Sequence, residues 1–417
     1  MKILEVTGGN ELSGLIKISG AKNSAVALIP AAILADEDVT ICNVPDITDI
    51  DVLEETLKFL GADVRRASES MVITPSTIEN KSIPSKYAKK LRASYYFMGA
   101  LLGKYKHVEI SIPGGCSIGQ RPINIHLKGF EALGAKITND GENYIIHADE
   151  LKGTNIYLDF PSVGATINIM LAAVMATGTT TIDNAAKEPE IANIATFLNN
   201  MGANIRGAGT NTIKIKGVEK LNGCFHEVIP DRIEAGTFTI LGALTGKELK
   251  IYNIIPEHIE ALTSKLKEAG VPIRIAQDYL VISKTDKYKP VNIKTLVFPG
   301  FATDLQQAFM ILSTQMDGKT TIEETIFENR FMQVPFLNKM GADIKVIGSK
   351  AYINGPTIFE GTEVEATDLR AGASLLIAAL QSKGKTTIKN VEHILRGYED
   401  IVEKLTNVGA KIEIKEV

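Results

Sequence analysis

One short phrase, roughly Leu-x-x-x-Gly-Ala-x-Ile, recurs along the whole chain and restricts the fold more than any other feature. Its copies centre on Gly61, Gly134, Gly202, Gly270, Gly341 and Gly409, spaced by 73, 68, 68, 71 and 68 residues. Each copy reads as the end of an amphipathic helix, a glycine in the left-handed conformation, and entry into a strand. A second phrase runs out of phase with the first: an apolar helix, a glycine turn and a Thr/Ile-rich strand. It is clearest at Gly178-Thr179-Thr180-Thr181-Ile182, Gly318-Lys319-Thr320-Thr321-Ile322 and Gly384-Lys385-Thr386-Thr387-Ile388. The preceding helices, such as 167–176 and 371–380, are apolar nearly all round and belong inside a domain. Each repeat is therefore two helices, one of them buried, with several short strands. A unit of about 70 residues is marginal for enclosing a core, so the units are expected to group by threes into two domains. The fold class expected is α/β. The boundary falls near Pro230-Asp231, giving an N-terminal domain over 22–229 and a C-terminal domain over 230–417 completed by 1–21.

Composition narrows the function. Forty-five Lys+Arg against forty-nine Asp+Glu leave a net charge of -4, so no global basic field points to nucleic acid or an anionic membrane. The three cysteines, Cys42, Cys116 and Cys224, form no metal-ligand spacing, and their odd number suits a reducing compartment. The first ten residues hold no apolar run of signal-peptide length, and no later stretch reaches the ~20 apolar residues of a membrane span, which leads to a cytoplasmic expectation. The six histidines likewise lack ligand spacing, and no metal is expected.

Chemistry is concentrated in a few segments. Pro113-Gly114-Gly115-Cys116-Ser117-Ile118-Gly119-Gln120-Arg121-Pro122 lies between a strand over 108–112 and the next amphipathic helix. A thiol five residues from a guanidinium has a stabilised thiolate, which suits proton transfer or nucleophilic attack. Gln120-Arg121 stands where a phosphate loop needs Gly-Lys-Thr, so this is not a P-loop. Lys22 and Asn23 open an apolar helix over 25–35, where an ammonium and exposed backbone donors can hold an anion. Ser162-Val163-Gly164-Ala165-Thr166 opens the buried helix of the third unit and offers a diphosphate seat. Asp304 heads another apolar helix and reads either as an N-cap, the commoner use of aspartate there, or as a general base. Arg92, Arg330, Arg370 and Arg396 stand at corresponding edges of repeats. Converging, they would suit a ligand carrying phosphate and carboxylate.

These segments, with Leu91-Arg92-Ala93-Ser94, Met98-Gly99, Pro230-Asp231-Arg232-Ile233-Glu234-Ala235-Gly236, Phe327-Glu328-Asn329-Arg330-Phe331, Asp368-Leu369-Arg370-Ala371-Gly372 and Arg396-Gly397-Tyr398, closely resemble the UDP-N-acetylglucosamine 1-carboxyvinyltransferase family over essentially the full chain. The resemblance implies two inside-out α/β domains with an active site in the cleft between them and the Cys116 loop as a lid. It implies transfer of the enolpyruvyl group of phosphoenolpyruvate to the 3-hydroxyl of a UDP-sugar without a cofactor, metal, nucleic acid, membrane or obligate protein partner. By the same carry-over, Cys116 is the proton donor to phosphoenolpyruvate and Asp304 the base. Lys22, Arg121 and Arg396 hold phosphoenolpyruvate with Arg330 and Arg370 nearby. Asn23, Arg92, Arg121, Pro122, Ile123, Asn124, Ile125, Ser162, Val163, Gly164, Asp304 and Ile326 hold the UDP-sugar, and Asp368 and Leu369 join the binding set. Many family members carry aspartate where this chain has Asn124. The nearest alternative is a 3-phosphoshikimate carboxyvinyltransferase, whose family resembles this chain in architecture but lacks the Gly-Gly-Cys motif. A second alternative is a weak paralogue that binds UDP-sugar without turning it over.

Overall fold

A computed structural model describes residues 2–114 and 123–416. The described residues divide into two compact units, one of residues 20–114 with 123–229 and the other of residues 2–19 with 230–416. Each unit is built round three helices that are buried along almost their whole length. In the first these are Lys22–Ala31, Tyr96–Tyr105 and Val163–Ala173. In the second they are Arg232–Thr245, Thr303–Ser313 and Leu369–Gln381. The Tyr96 helix packs against the other two of its unit, and the Thr303 helix likewise against its neighbours. Glycines allow the close approaches. A Cβ on Gly99 would lie 2.4 Å from the Asn168 carbonyl oxygen, and one on Gly236 would lie 2.6 Å from Leu305.

Round these helices lie six small sheets, five of four strands and one of three. Their strands alternate. In Thr212–Lys216, Ile213 and Ile215 are buried while Lys214 and Lys216 are exposed, so one face of the ribbon covers apolar helices and the other meets water. The architecture is the inside-out α/β arrangement, helices within and sheets without. The strand Lys2–Thr7 lies inside a sheet whose other members come from the far end of the chain. It pairs antiparallel with Lys385–Lys389 on one side and Lys411–Glu416 on the other. No described helix is long and apolar enough to cross a membrane.

The outer helices carry the recurring phrase. Thr48–Phe59, Asn124–Ala132, Pro189–Asn200, Glu260–Glu268, Val334–Lys339 and Ile401–Asn407 each end just before one of the six glycines. All six glycines have φ between 86° and 109°. At every copy the glycine N–H bonds the carbonyl three residues back at 2.9–3.0 Å, and the next N–H bonds the carbonyl five residues back at 3.0 Å. Two orphan carbonyls of each helix are thereby satisfied. A companion device had no counterpart in the sequence reading. Asn43, Asn184 and Asn253 take positive φ at strand ends, and their side-chain amides reach the carbonyls of Val228, Leu158 and Ile18 at 2.7–2.8 Å.

The expected helices were displaced toward the N-terminus. The helix expected over 25–35 starts at Lys22 and tightens into a 3-10 turn over Ala32–Leu34, and that expected over 167–176 runs Val163–Ala173. Their first turns, Lys22-Asn23-Ser24 and Val163-Gly164-Ala165-Thr166, mix polar and small residues and so lie outside the continuous apolar runs that set the expected bounds.

Left-handed backbone costs a residue with a side chain about 1–2 kcal/mol. Gly202→Ala, with only the Asn222 amide at 3.7 Å, should lose about that much. Gly61→Ala should lose more, since its Cβ would lie 2.8 Å from the Thr77 carbonyl oxygen. Urea denaturation midpoints of the two variants read the difference, and equal losses would show that the closure alone sets the cost.

Candidate active site

In the 20–229 unit the candidate residues gather at helix heads. Gly20 lies so close to Asn43 that a Cβ would sit 1.7 Å from its carbonyl oxygen, and Ala21 N–H donates to the Ile229 carbonyl at 2.7 Å. This fixes the entry to the Lys22 helix. The Lys22 ammonium pairs with Asp49 at 2.6 Å, both side chains being largely buried, and Asn23 follows half-buried.

Arg92 opens the 3-10 turn Arg92–Tyr95 that runs into the Tyr96 helix. Close by is His126, a residue that sequence reasoning missed. Asn168, a polar residue inside the otherwise apolar Val163 helix, organises it. The Asn168 oxygen accepts from Gly99 N–H at 2.9 Å, while its nitrogen donates to the Tyr95 carbonyl at 3.0 Å and lies 2.8 Å from His126 Nδ1. With Nδ1 accepting, the ring proton is on Nε2. Burial first, and the positive charge of Arg92 second, push the imidazole down to about 3, so it is neutral at any ordinary pH.

Gly164 lies beside this ring. A Cβ there would sit 2.9 Å from His126 Cε1, 3.2 Å from Nε2 and 2.9 Å from the Tyr95 hydroxyl. Ser162 caps the helix by accepting from Ala165 N–H at 3.3 Å. The head of the Val163 helix therefore combines backbone donors, the helix dipole and a neutral imidazole N–H, a combination suited to an anion. Asn124 is the first residue of the next helix, with Ile123 at its cap and Ile123 and Ile125 packed against the core. Cys116, Arg121 and Pro122 lie outside the described residues.

In the other unit, Asp304 is the second residue of the Thr303–Ser313 helix, whose cap position is Ala302 and receives no side-chain bond. The capping alternative is thereby overturned. The carboxylate instead pairs with Arg330 through one oxygen and with Arg370 through the other at 3.4 Å. Both guanidiniums are nearly buried, at 2% and 6% exposure, while the Asp304 side chain keeps 26%. The Asp304 side chain is thus not sealed off as the two guanidiniums are.

Each arginine is fixed by a second partner. In the amide orientation that satisfies both ends of Gln307, its oxygen accepts from Arg330 Nε at 2.9 Å and its nitrogen donates to the Thr303 carbonyl at 3.2 Å. Arg370 donates to the Tyr398 hydroxyl at 3.1 Å. Tyr398 must in turn donate to Thr237 at 2.9 Å, because the Thr237 proton already goes to the Ile233 carbonyl at 2.7 Å. Burial alone would lower the Arg370 pKa, but Tyr398, Asp304 and Asp231 outweigh it and hold the group charged. Burial raises the phenol of Tyr398, keeping it a neutral donor.

Asp368, placed by resemblance in the binding set, uses its carboxylate to cap the Leu369 helix, accepting from Arg370 and Ala371 N–H at 2.9 and 3.1 Å. Asp231 caps the Arg232 helix in the same way. Arg396 closes the short helix Glu392–Leu395, and a Cβ on the following Gly397 would lie 2.6 Å from Leu369. That contact seats the segment 396–398 on Leu369, at the first residue of the helix that carries Arg370. Ile326 gives its amide proton to Glu324 at 2.8 Å. Among the described residues no His, Cys, Asp and Glu cluster is placed to hold a metal ion.

Comparison with known proteins identifies the family and the fold. The family model described as EPSP synthase (3-phosphoshikimate 1-carboxyvinyltransferase) matches residues 6–405. UDP-N-acetylglucosamine 1-carboxyvinyltransferase 2 of Listeria monocytogenes is 54% identical over 98% of this chain and 97% of its own length. The protein of the same name from Geobacillus kaustophilus is 52% identical over 99% and 96%. Among solved structures, the enolpyruvyl transferase NikO from Streptomyces tendae superposes with a TM-score of 0.90 at 29% identity, covering 100% of this chain and 99% of its own. EPSP synthase from Acinetobacter baumannii, at 19% identity and a TM-score of 0.78 over the whole of both chains, shares the fold.

The buried histidines predict an acid sensitivity. His126 is held down to about 3 and His226, through burial, to about 4, both below the ~6.5 of an unfolded histidine. The unfolded chain binds protons that the native state refuses, so their contribution is complete above pH ~6.5 and is lost as pH falls toward 4. His126→Gln should flatten the pH dependence of unfolding across that window by about 1.4 kcal/mol per pH unit. An unchanged slope in denaturation curves taken from pH 7 to 4 would mean that His126 titrates normally.

Proposed function

The chain belongs to the EPSP synthase family and, within it, to the UDP-N-acetylglucosamine 1-carboxyvinyltransferases, and from that premise we propose how its residues carry the reaction. It transfers the enolpyruvyl group of phosphoenolpyruvate to the 3-hydroxyl of UDP-N-acetylglucosamine with release of phosphate. The observation that carries the reading of the base is Asp304, which stands on a rigid helix head, engages two buried guanidiniums and keeps 26% exposure of its side chain. Asp304 takes the proton of the sugar 3-hydroxyl while that oxygen attacks C2 of phosphoenolpyruvate. The Cys116 thiol delivers a proton to C3, which becomes a methyl group. Return of one methyl proton to the Cys116 thiolate and departure of phosphate from the tetrahedral ketal, with the C–O bond to phosphate breaking as the C2–C3 double bond forms, leave the enolpyruvyl ether.

Charge placed in advance stabilises that intermediate more than bulk water would. Lys22, Arg121 and Arg396 hold phosphoenolpyruvate, with Arg330 and Arg370 beside the base. Asn23, Arg92, the strip from Arg121 to Ile125 and Ile326 hold the UDP-sugar, with the Ser162–Gly164 helix head taking its diphosphate. The neutral Nε2–H of His126 adds a donor at that head, and Asp368 and Leu369 act by presenting Arg370. In this reading the enzyme performs the first committed step of peptidoglycan synthesis in the cytoplasm, supports cell-wall growth and division, and is a target of fosfomycin. The Gly114-Gly115-Cys116 motif and the identity to relatives of this specificity favour UDP-N-acetylglucosamine over shikimate 3-phosphate as acceptor.

Phosphate release from phosphoenolpyruvate, assayed with each acceptor, tests the assignment; release with shikimate 3-phosphate alone would sink it. Cys116→Ser should suppress turnover and abolish covalent labelling by fosfomycin, and labelling that persisted would point to Cys42 or Cys224. Asp304→Ala should reduce kcat by about 10²-fold or more while phosphoenolpyruvate still binds. Near-normal turnover would remove Asp304 from the chemistry.

A further inference from the structure

Glu324 directly follows the strand Gly318–Glu323 and is 3% exposed, yet no role in binding or chemistry has been given to it. A buried carboxylate is costly unless its lone pairs are met. Here four neutral donors meet them. One oxygen accepts from the Thr295 hydroxyl at 2.9 Å, from Ile326 N–H at 2.8 Å and from Phe327 N–H at 3.2 Å. The other accepts from the Thr303 hydroxyl at 2.9 Å. Thr295 and Thr325 close the arrangement with two further bonds, at 2.9 and 2.6 Å.

These donors belong to the segments that matter for the acceptor. Thr303 is the residue before Asp304 and the first of its helix. Its carbonyl accepts from Gln307, whose oxygen holds Arg330, which in turn pairs with Asp304. Ile326 belongs to the strip assigned to the UDP-sugar, and the ring of Phe327 lies 5.4 Å from the Arg330 guanidinium carbon. One carboxylate thus fixes the backbone beside the base, the cation paired with it and the strip beyond.

We infer that Glu324 is a positioning residue, which holds Asp304 and the Ile326–Phe327 strip in a single geometry so that the sugar 3-hydroxyl is presented to the base. The inference rests on the reading of Asp304 as base and of Ile326 as part of the acceptor site. A glutamine has the same shape but only one acceptor oxygen, and its NH₂ group cannot receive the donors that the carboxylate receives. Small misplacements of a catalytic group cost rate far more than stability, of order 10²-fold for about 1 Å.

The test compares wild type, Glu324→Gln, Thr303→Val and Thr303→Ser as full-length chains, with kcat, KM for each substrate and the melting temperature measured together. In Glu324→Gln and Thr303→Val, kcat should fall on the order of 10- to 100-fold and KM for UDP-N-acetylglucosamine should rise. KM for phosphoenolpyruvate should stay within about twofold, and Thr303→Ser, which keeps the hydroxyl, should restore kcat. A lowered melting temperature with wild-type kcat and KM would make Glu324 a structural strut and overturn the inference. An equal rise in both KM values would overturn it too. Should Glu324→Gln fail to fold, the Thr303→Val and Thr303→Ser pair decides: normal kinetics in the valine variant refutes the positioning role. A wild-type chain that turns over no UDP-N-acetylglucosamine defeats the underlying assignment and this inference with it. Turnover by wild type with unaltered variants defeats the inference alone.

Discussion

A helix buried on every side has only its ends at which to be polar, and the rest of this structure depends on that restriction. The six central helices are sealed along their length by apolar contacts and by the sheets around them. Their first turns leave backbone N–H groups that must be met by something outside the helix, and the dipole there favours negative charge. Many of the proposed site residues follow the restriction, although Ile326, Arg330 and Arg396 lie away from these helix heads. Lys22 and Asn23, Arg92, Ser162 to Gly164, Asp304, and Asp368 to Arg370 all stand at or just before the head of a central helix. The tail ends of these helices supply none of them.

Aspartate shows how the same position can serve two purposes. Asp231 and Asp368 sit at the cap position and are consumed by the backbone amides of the first turn. Asp304 is two residues beyond its cap position, past the reach of those amides, and its carboxylate goes to arginines instead. A shift of two residues separates an aspartate that caps a helix from one that pairs with arginines. It also explains why spacing alone favoured a cap for Asp304: the sequence marks the helix start only to within a turn, and the distinction lies inside that margin.

Much of the architecture was legible because it is repeated. One left-handed glycine is a weak signal, but six at nearly equal intervals, each ending an amphipathic helix, define the unit and its count. The buried helices were visible from their lack of a polar face, although the apolar run alone put their bounds a few residues late. The asparagines that pin strand ends were not legible, since each works through a carbonyl some 26 to 235 residues away in sequence. Nor was the role of Asn168 or His126. A lone amide in an apolar helix and a histidine without ligand spacing carry no pattern, and only the fold shows that one sets the tautomer of the other. Glu324 was hidden for the same reason, its donors being drawn from three separate segments.

The strand Lys2–Thr7 imposes an order on assembly. It is made some 380 residues before its two neighbours, Lys385–Lys389 and Lys411–Glu416, which at ribosomal rates of ~5–20 residues per second is a delay of roughly 20–75 s. Meanwhile the described residues of the other unit, 20–114 and 123–229, are all made early and can close their own core while the chain is still growing. For that interval a strand of alternating apolar residues waits beside a folding neighbour with both edges unpaired, the condition under which strands find wrong partners. Its short length and the charges of Lys2 and Glu5 limit that hazard, so the segment that finishes the second unit must first be one that does not aggregate.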